Sequence, residues 1–307
     1  MKILLLGKNG QVGWELQRSL APLGEMLALD RHSSQACGDL SRPDELMQTV
    51  FHYQPDVIVN AAAHTAVDKA ESEPELAQLL NATAPAALAK AARQLGALLV
   101  HYSTDYVFNG EGQLPWQETD ATAPLNVYGH SKREGELAIA NSGCHHLIFR
   151  TSWVYASRGA NFAKTMLRLA GERERLTVID DQFGAPTGAD LIADVSAQAL
   201  RQVHALPAAE RAPHMGIFHL VAAGQTSWHG YASHVIETAK RLRPEFAWRV
   251  KEVAPVSSSA FVTAAKRPHN SRLATARLEA SFGLRMPPWQ DGVERMLAEI
   301  VSPSSDY

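Results

Sequence analysis

Residues 2–13, KILLLGKNGQVG, decide the fold. The apolar run KILLL is continuous rather than alternating, which is typical of a strand buried on both faces of a sheet. Three glycines follow at Gly7, Gly10 and Gly13, and residues 11–23 carry the apolar spacing of a helix. Glycines between a strand and a helix permit a sharp turn, a close approach of the backbone to a pyrophosphate, and tight helix packing. This stretch therefore predicts a dinucleotide-binding unit.

The same rhythm continues along the first half of the chain. Short apolar runs at 26–30, 56–62, 97–103 and 146–151 alternate with helical patterns. Strands that alternate with helices predict a parallel sheet covered by helices on both faces. We therefore expect an α/β protein with a Rossmann-type doubly wound sheet over residues 1–153, a segment near 189–220 that returns to it, and a smaller substrate domain over residues 154–307.

Composition excludes several classes of protein. Of 307 residues, 46% are hydrophobic and 20% charged, which is enough apolar material for a core. Lys and Arg number 29 against 32 Asp and Glu, so a generally basic surface for nucleic acid is not expected. The two cysteines, Cys37 and Cys144, exclude a disulfide scaffold. Because no apolar run reaches the ~20 residues of a membrane helix, we expect a cytoplasmic protein with no membrane partner.

A tyrosine and a lysine stand four residues apart in a helical pattern. Tyr128 and Lys132 would share one helix face. A nearby ammonium stabilises a phenolate and lowers the pKa of the phenol, so Tyr128 could exchange a proton with a carbonyl oxygen. Thr104 ends a predicted strand, where ligands of open parallel sheets bind, and could hydrogen-bond the substrate oxygen. Together these residues indicate a site that could exchange a proton with a carbonyl or alcohol oxygen.

The second predicted strand ends in residues that point to two different cofactors. Asp30 can bind the adenosine ribose hydroxyls and disfavours a 2′-phosphate, as in NAD-dependent proteins. Arg31 and His32 follow directly and could pair with the 2′-phosphate of NADP. The residues therefore leave NADH and NADPH both open.

With these residues in place, the chain resembles the dTDP-4-dehydrorhamnose reductase family of the extended short-chain dehydrogenases/reductases. The glycine spacing G-x-x-G-x-x-G is typical of that superfamily. The more specific matches are AAHTAVDKAE at 62–71, STDYVF at 103–108, RTSWVY at 150–155 and RPHNSRL at 267–273. The resemblance implies that a hydride from NAD(P)H reduces dTDP-4-dehydro-L-rhamnose to dTDP-L-rhamnose, the last step toward a precursor of lipopolysaccharide and other cell-surface polysaccharides.

The resemblance also implies a role for individual positions. The catalytic residues would be Tyr128, Lys132 and Thr104, and the substrate contacts Thr104, Asp105 and Trp153. The remaining contacts are to the cofactor, and they are expected at Gly7, Gly10, Gln11, Val12, Gly13, Asp30, Asp39, Leu40, Ala63, His64, Thr65, Tyr102, Tyr128 and Lys132.

A magnesium ion near a homodimer contact is a further implication of the resemblance. Glu15 fits the expected acidic set, Asp190 is a shorter acid where glutamate is expected, and Gln290 stands at the third position. Mg²⁺ binds through few carboxylates and demands octahedral geometry. The alternative interpretation is that these acids are solvated residues on helix surfaces.

Two other functions remain open from the sequence. A sugar-nucleotide epimerase or dehydratase would carry the same Tyr–Lys pair, although Thr104 is followed by Asp105 and Tyr106 without the glutamate that a dehydratase uses. A non-catalytic NADP-binding regulatory subunit, like that of methionine adenosyltransferase, would also carry these motifs. Consumption of NAD(P)H distinguishes the reductase from both.

Overall fold

The computed structural model describes residues 1–301, apart from the side chain of residue 208. The last six residues of the predicted substrate domain lie outside this range. Within it, no helix is both long and apolar enough to cross a membrane.

A six-stranded sheet lies at the centre of the molecule. Its order is β10-β5-β4-β3-β1-β2, and every neighbouring pair is parallel. The predicted Rossmann-type α/β fold is thereby confirmed. The described residues form these strands: β1 Lys2–Leu6, β2 Glu25–Leu29, β3 Val57–Asn60, β4 Leu98–Thr104, β5 His145–Thr151, β6 Val154–Tyr155, β7 Arg175–Ile179, β8 Phe183–Gly184, β9 Thr187–Gly188, β10 Gly216–His219, β11 Thr226–Ser227 and β12 Glu252–Val256.

Helices cover both faces of this sheet, and β1 shows why its sequence is apolar throughout. Ile3 and Leu5 pack in the core under α1 and α8, whereas Leu4 and Leu6 pack in the opposite core under α2 and α5. The α-helices of the described residues are α1 Gln11–Leu20, α2 Pro43–Tyr53, α3 Val67–Ala70, α4 Pro74–Gln78, α5 Ala84–Leu95, α6 Val127–Ser142, α7 Phe162–Glu172, α8 Ala189–Ala205, α9 Trp228–Leu242, α10 Ala276–Phe282 and α11 Trp289–Val301.

One helix prediction needs correction, and one helix has an irregular start. The helix expected over 11–23 ends as an α-helix at Leu20, and a 3₁₀ turn spans Ala21–Leu23, where Pro22 has no backbone N–H to donate. Ahead of α5, the chain forms a π-helical turn over Leu79–Thr83 that joins it to α4. Such turns admit an extra residue into the helix and reorient the side chains they carry.

The second lobe has its own core. Helices α7, α9 and α11 pack with β7 and β12 around Tyr231 and Trp289. Helix α8 instead packs on α1, where Asp194 accepts hydrogen bonds from Arg18 and Ser19, and β10 pairs with β5. The segment at 189–220 thus lies against the central sheet, while a domain boundary at residue 153 stays a prediction.

Candidate active site

The turn after β1 is built for close backbone approach. Gly7 has φ +85°, and a Cβ there would lie 2.7 Å from the backbone nitrogen of Ala62. A Cβ on Gly13 would lie 2.0 Å from the carbonyl oxygen of Gly7, so α1 can pack on the turn only with glycine at this position. Gly10 caps α1 without a side chain, which leaves the first N–H groups of the helix free for an anion.

A cavity of about 750 Å³ extends from this turn along the carboxyl ends of the strands. Except for Gly13 and His64, every residue predicted to contact the cofactor lines it. Gly13 lies behind the turn, and the His64 side chain is buried beside Glu73, with Nε2 3.5 Å from Oε2. Within residues 1–301, the buried hydroxyls of Ser103, Thr151 and Ser152 on its wall have no hydrogen-bond partner. Size, glycine turn and unpaired hydroxyls all fit a dinucleotide and a polar substrate.

Asp30 stands at the end of the cavity beyond β2. Its carboxylate accepts hydrogen bonds from the backbone N–H of His32 at 2.9 Å and the hydroxyl of Ser33 at 3.0 Å, and from Asn9. Burial opposes ionisation, but these hydrogen bonds and the charge of Lys8 hold the pKa of Asp30 below its usual value. Arg31 and His32 line the same end, so an anionic and a cationic side chain both lie at this end of the cavity.

Tyr128 and Lys132 reach the cavity from α6. The side chain of Asn126 caps this helix by accepting from the backbone N–H of Gly129 at 2.8 Å, which places Tyr128 in the first turn. The phenol hydrogen-bonds Thr104 at the end of β4. One turn later, Nζ of Lys132 donates to the carbonyl oxygen of Tyr102 at 2.6 Å. Both side chains therefore lie on one face of α6, above the strand ends.

The prediction that Lys132 lowers the pKa of Tyr128 is wrong for this structure. Burial raises the pKa of the phenol well above its usual value, the nearby Asp105 adds to the rise, and the hydrogen bond with Thr104 only partly offsets it. Lys132 does not compensate because its amine is turned toward the carbonyl of Tyr102. Tyr128 is therefore a protonated phenol at neutral pH, which is the form that a proton donor needs.

Asp105 and Tyr106 lie beside this phenol. Burial raises the pKa of Asp105 to about 6, against hydrogen bonds from Ser271 and Thr104 that lower it. The ring of Tyr106 meets that of Tyr128 edge to face, with centroids 5.6 Å apart. Asp105 thus titrates close to neutral pH at the wall of the cavity.

Trp153 forms another part of the wall, just after β5. Its φ of +49° is unusual for a large residue, and its ring stacks on Trp228 with centroids 3.6 Å apart. Gly184 makes room for it, because a Cβ there would lie 2.7 Å from Cε2 of Trp153. The structure thus brings Trp153, Thr104 and Asp105, the three predicted substrate contacts, into one cavity.

Two side chains that organise the site were missed by the sequence reasoning. Asn81, on the π-helical turn, accepts from the backbone N–H of His64 at 2.8 Å and donates to its carbonyl at 3.0 Å and to Ser131 on α6 at 3.0 Å. His101, inside β4, lies 3.2 Å from Nζ of Lys132. The only signal for His101 was a titratable residue in the apolar run ALLVHYS, and Asn81 gave none.

The residues predicted to bind magnesium do not gather into a metal site within the described part of this chain. Glu15 pairs with Arg18 at 3.5 Å, and Asp190 pairs with Arg295 at 3.4 Å. Across the described part of the chain, no three His, Cys, Asp or Glu side chains gather in a way that could hold a metal ion. No step of the reaction is therefore assigned to a metal.

Comparison with known proteins agrees with this geometry. The family model described as "RmlD substrate binding domain" matches residues 1–302. The dTDP-4-dehydrorhamnose reductase of Salmonella typhimurium is 59% identical over 305 residues, which cover 99% of this chain and all of that protein. The crystal structure of dTDP-4-dehydrorhamnose reductase from Clostridium acetobutylicum superposes with a TM-score of 0.87 at 33% identity, and covers 98% of this chain and 99% of its own.

A solved relative also carries a nicotinamide cofactor. The enzyme of the same name from Bacillus anthracis, in complex with NADP, has a TM-score of 0.85 at 34% identity and covers 97% of this chain and 99% of its own. The glycine turn, the cavity and these full-length matches lead to one conclusion: the chain belongs to the RmlD family, whose members named above are dTDP-4-dehydrorhamnose reductases.

Proposed function

We propose that this protein reduces the C4 ketone of dTDP-4-dehydro-L-rhamnose to the hydroxyl of dTDP-L-rhamnose. NAD(P)H, when bound, supplies the hydride, and Tyr128 supplies the proton, so that ketone, NAD(P)H and one proton give alcohol and NAD(P)⁺. The observation that carries the proposal is the protonated phenol of Tyr128 held by Thr104 at the wall of a dinucleotide-sized cavity. Relatives of this name that match the whole chain support the same substrate.

Different side chains would bind the cofactor, orient the phenol and contact the sugar around the ketone. The glycine turn and the start of α1 would hold the pyrophosphate, and Lys132 would hold the nicotinamide ribose. Thr104 holds the phenol at the cavity wall, and with substrate bound the phenol would turn its proton to the sugar oxygen. Asp105 would accept a hydrogen bond from a sugar hydroxyl, and Trp153 would pack against the sugar. Positioning and one proton transfer are therefore the contributions of the protein.

A reductase fits the site better than the alternatives. A dehydratase needs a second acid–base pair, and the wall offers Asp105 with Tyr106 in place of Asp–Glu. A purely binding subunit has no need of an oriented proton donor, yet Thr104 and Tyr128 are hydrogen-bonded at the cavity. These observations favour turnover of a keto sugar.

The test is a direct assay of the purified chain. dTDP-4-dehydro-L-rhamnose is supplied with NADPH or with NADH, and loss of nicotinamide absorbance is followed together with formation of dTDP-L-rhamnose. We expect one mole of cofactor oxidised for each mole of product, and dTDP-glucose as control should oxidise none. A 4-epimer formed without net oxidation, or no turnover with either cofactor, would contradict the proposal. The ratio of the two rates decides between Asp30 and Arg31 as the dominant cofactor determinant.

We propose a homodimer in the cytoplasm, where nucleotide sugars and NAD(P)H meet, with no nucleic-acid or membrane partner. Light scattering of the purified chain should give twice the monomer mass. A monomer at micromolar concentration would contradict the dimer without affecting the reductase assignment.

A further inference from the structure

A chain of buried polar side chains runs beneath the active site and ends at Lys132. It starts at the backbone N–H of Ala62, which donates to Oδ1 of Asn60 at 3.2 Å. Nδ2 of Asn60 lies 3.2 Å from Nδ1 of His101, and Nε2 of His101 lies 3.2 Å from Nζ of Lys132. Asn60, His101 and Lys132 are almost fully buried, so protein partners must satisfy these atoms.

The backbone N–H of Ala62 fixes the direction of the other hydrogen bonds in this series of side chains. Because a backbone N–H can only donate, Oδ1 of Asn60 must face Ala62 and its NH₂ group must face His101. Nδ1 of His101 therefore accepts and carries no proton. Flipping the amide of Asn60 would set two donors against each other at Ala62. In a neutral imidazole, the single proton then lies on Nε2 and points at Lys132.

The amine of Lys132 therefore faces the Nε2–H donor of His101. An ammonium has three donors and no lone pair, so it cannot accept from Nε2–H, whereas a neutral amine can. His101 does not become doubly protonated, because burial and the charge of Lys132 lower the pKa of the His101 imidazole well below the usual value. The carbonyl of Tyr102 accepts a hydrogen bond from either form of the amine.

We propose that His101, oriented by Asn60, is a positioning residue that holds Lys132 in place and favours release of a proton from its amine. This role is distinct from that of the groups that touch the substrate, and its consequence for turnover rests on the proposed function. The Lys132 amine can then change charge in the range where the enzyme works, rather than staying fixed as an ammonium.

Other charged or titratable groups around Lys132 bear on the same equilibrium. Burial lowers the pKa of Lys132 to about 8, while Glu136, one turn further along α6, opposes the change. Glu136 is itself paired with Arg150 on β5 at 2.6 Å, which reduces its influence. Tyr128 on the same helix and Asp105 after β4 face the cavity side. Among these groups, His101 presents an N–H donor to Nζ.

The first experiment observes the tautomer directly. Nitrogen NMR of the full-length protein labelled at histidine, with His101 assigned by its loss in His101→Gln, should show Nε2 protonated and Nδ1 bare from pH 6 to 9. A proton on Nδ1 would overturn the proposal. This measurement uses the wild-type protein without substrate, so it decides the inference even if no reductase activity is found.

The second experiment reverses the tautomer. In Asn60→Asp a carboxylate would face Nδ1, move the ring proton to that nitrogen and leave a bare Nε2 to accept from the ammonium. Because the pKa of Lys132 is lowered to about 8, we expect an alkaline limb of kcat/KM near pH 8 in the wild type, and we expect Asn60→Asp to move this limb up by at least one pH unit. His101→Gln, whose amide oxygen can accept from Lys132, should move it in the same direction.

A matched control uses another buried histidine. His219 on β10 bonds the carbonyl of Trp116 and makes no contact with Lys132 within the described residues. His219→Gln should leave the alkaline limb of kcat/KM at the same pH as in the wild type. If Asn60→Asp and His101→Gln lower kcat by the same factor at every pH, with the limb unmoved, the role of His101 is structural only and the proposal is overturned.

Discussion

Two buried polar groups on one helix contrast with each other. Glu136 of α6 is bound by Arg150 through two hydrogen bonds of 2.9 and 2.6 Å, so both charges are neutralised. One turn earlier, Lys132 makes no ion pair with any carboxylate of residues 1–301 and lies between a carbonyl and an imidazole, while Tyr128 opens to the cavity. A buried ion pair fixes the charge of both its members, whereas a titratable group without a counter-charge can change its protonation state at a site. The difference separates the scaffold of α6 from its active face.

The largest effect is expected at the active face. Tyr128→Phe removes the proton donor and keeps the ring, so kcat should fall by about 10³-fold, within the range of general acid catalysis. The dissociation constant for NADPH, measured by fluorescence, should change by less than about threefold, because the phenol hydroxyl contributes little to cofactor binding compared with the glycine turn. A kcat within tenfold of the wild type would remove Tyr128 from its assigned role.

On the scaffold side, the effect should be on stability. Arg150→Met leaves Glu136 buried without a counter-charge and should cost about 3–5 kcal/mol in urea unfolding. Turnover per folded molecule should stay within about threefold, since neither residue lines the cavity. The double variant Glu136→Leu with Arg150→Met should recover most of the loss. If Arg150→Met instead abolished turnover of folded protein, the proposed separation would be wrong.

The glycine turn tests whether close approach, rather than backbone conformation alone, matters for the cofactor. Gly7→Ala places a methyl group 2.7 Å from the backbone of Ala62, and should weaken NADPH binding about tenfold or more. Gly96→Ala is the matched control, because φ is +69° there with no atom within 4 Å. It should cost about 1 kcal/mol of stability without changing cofactor affinity. Equal losses of affinity in both variants would refute the close approach.

The smallest expected effect is on the pH dependence of kcat/KM. With the pKa of Asp105 raised to about 6, its carboxylate is lost as the pH falls through that value. If the carboxylate accepts from a sugar hydroxyl, kcat/KM should fall below pH 6 in the wild type. Asp105→Asn should have a lower kcat/KM at pH 7 but a nearly flat profile between pH 5 and 7. A wild-type acid limb that persists unchanged in Asp105→Asn would assign it to another group.

Features of the molecule that depend only on a local pattern of residues could be predicted from the sequence. The continuous run in β1 predicts burial on both faces, and Gly7 and Gly13 occupy the positions where a Cβ would strike backbone. The i, i+4 spacing of Tyr128 and Lys132 likewise follows from helix geometry alone. Each of these features is decided by neighbours in the chain.

Features that depend on distant partners were not accessible in this way. The left-handed backbone at Trp153 is accommodated by Gly184 and by stacking on Trp228, which no short pattern reveals. The tautomer of His101 depends on Asn60 in another strand. Even the pKa of Tyr128 moved opposite to expectation, because burial outweighs the charge of a lysine whose amine is turned away.

The proposed reaction requires the phenol of Tyr128 to lie within hydrogen-bond reach of the sugar ketone. A crystal structure of the full chain with NADP⁺ and dTDP-L-rhamnose would show this distance. We expect the Oη atom of Tyr128 at about 2.6–3.2 Å from the C4 oxygen of the sugar, with the nicotinamide ring on the other side of that carbon. A C4 oxygen that faces away from Tyr128, beyond hydrogen-bond reach, would contradict it.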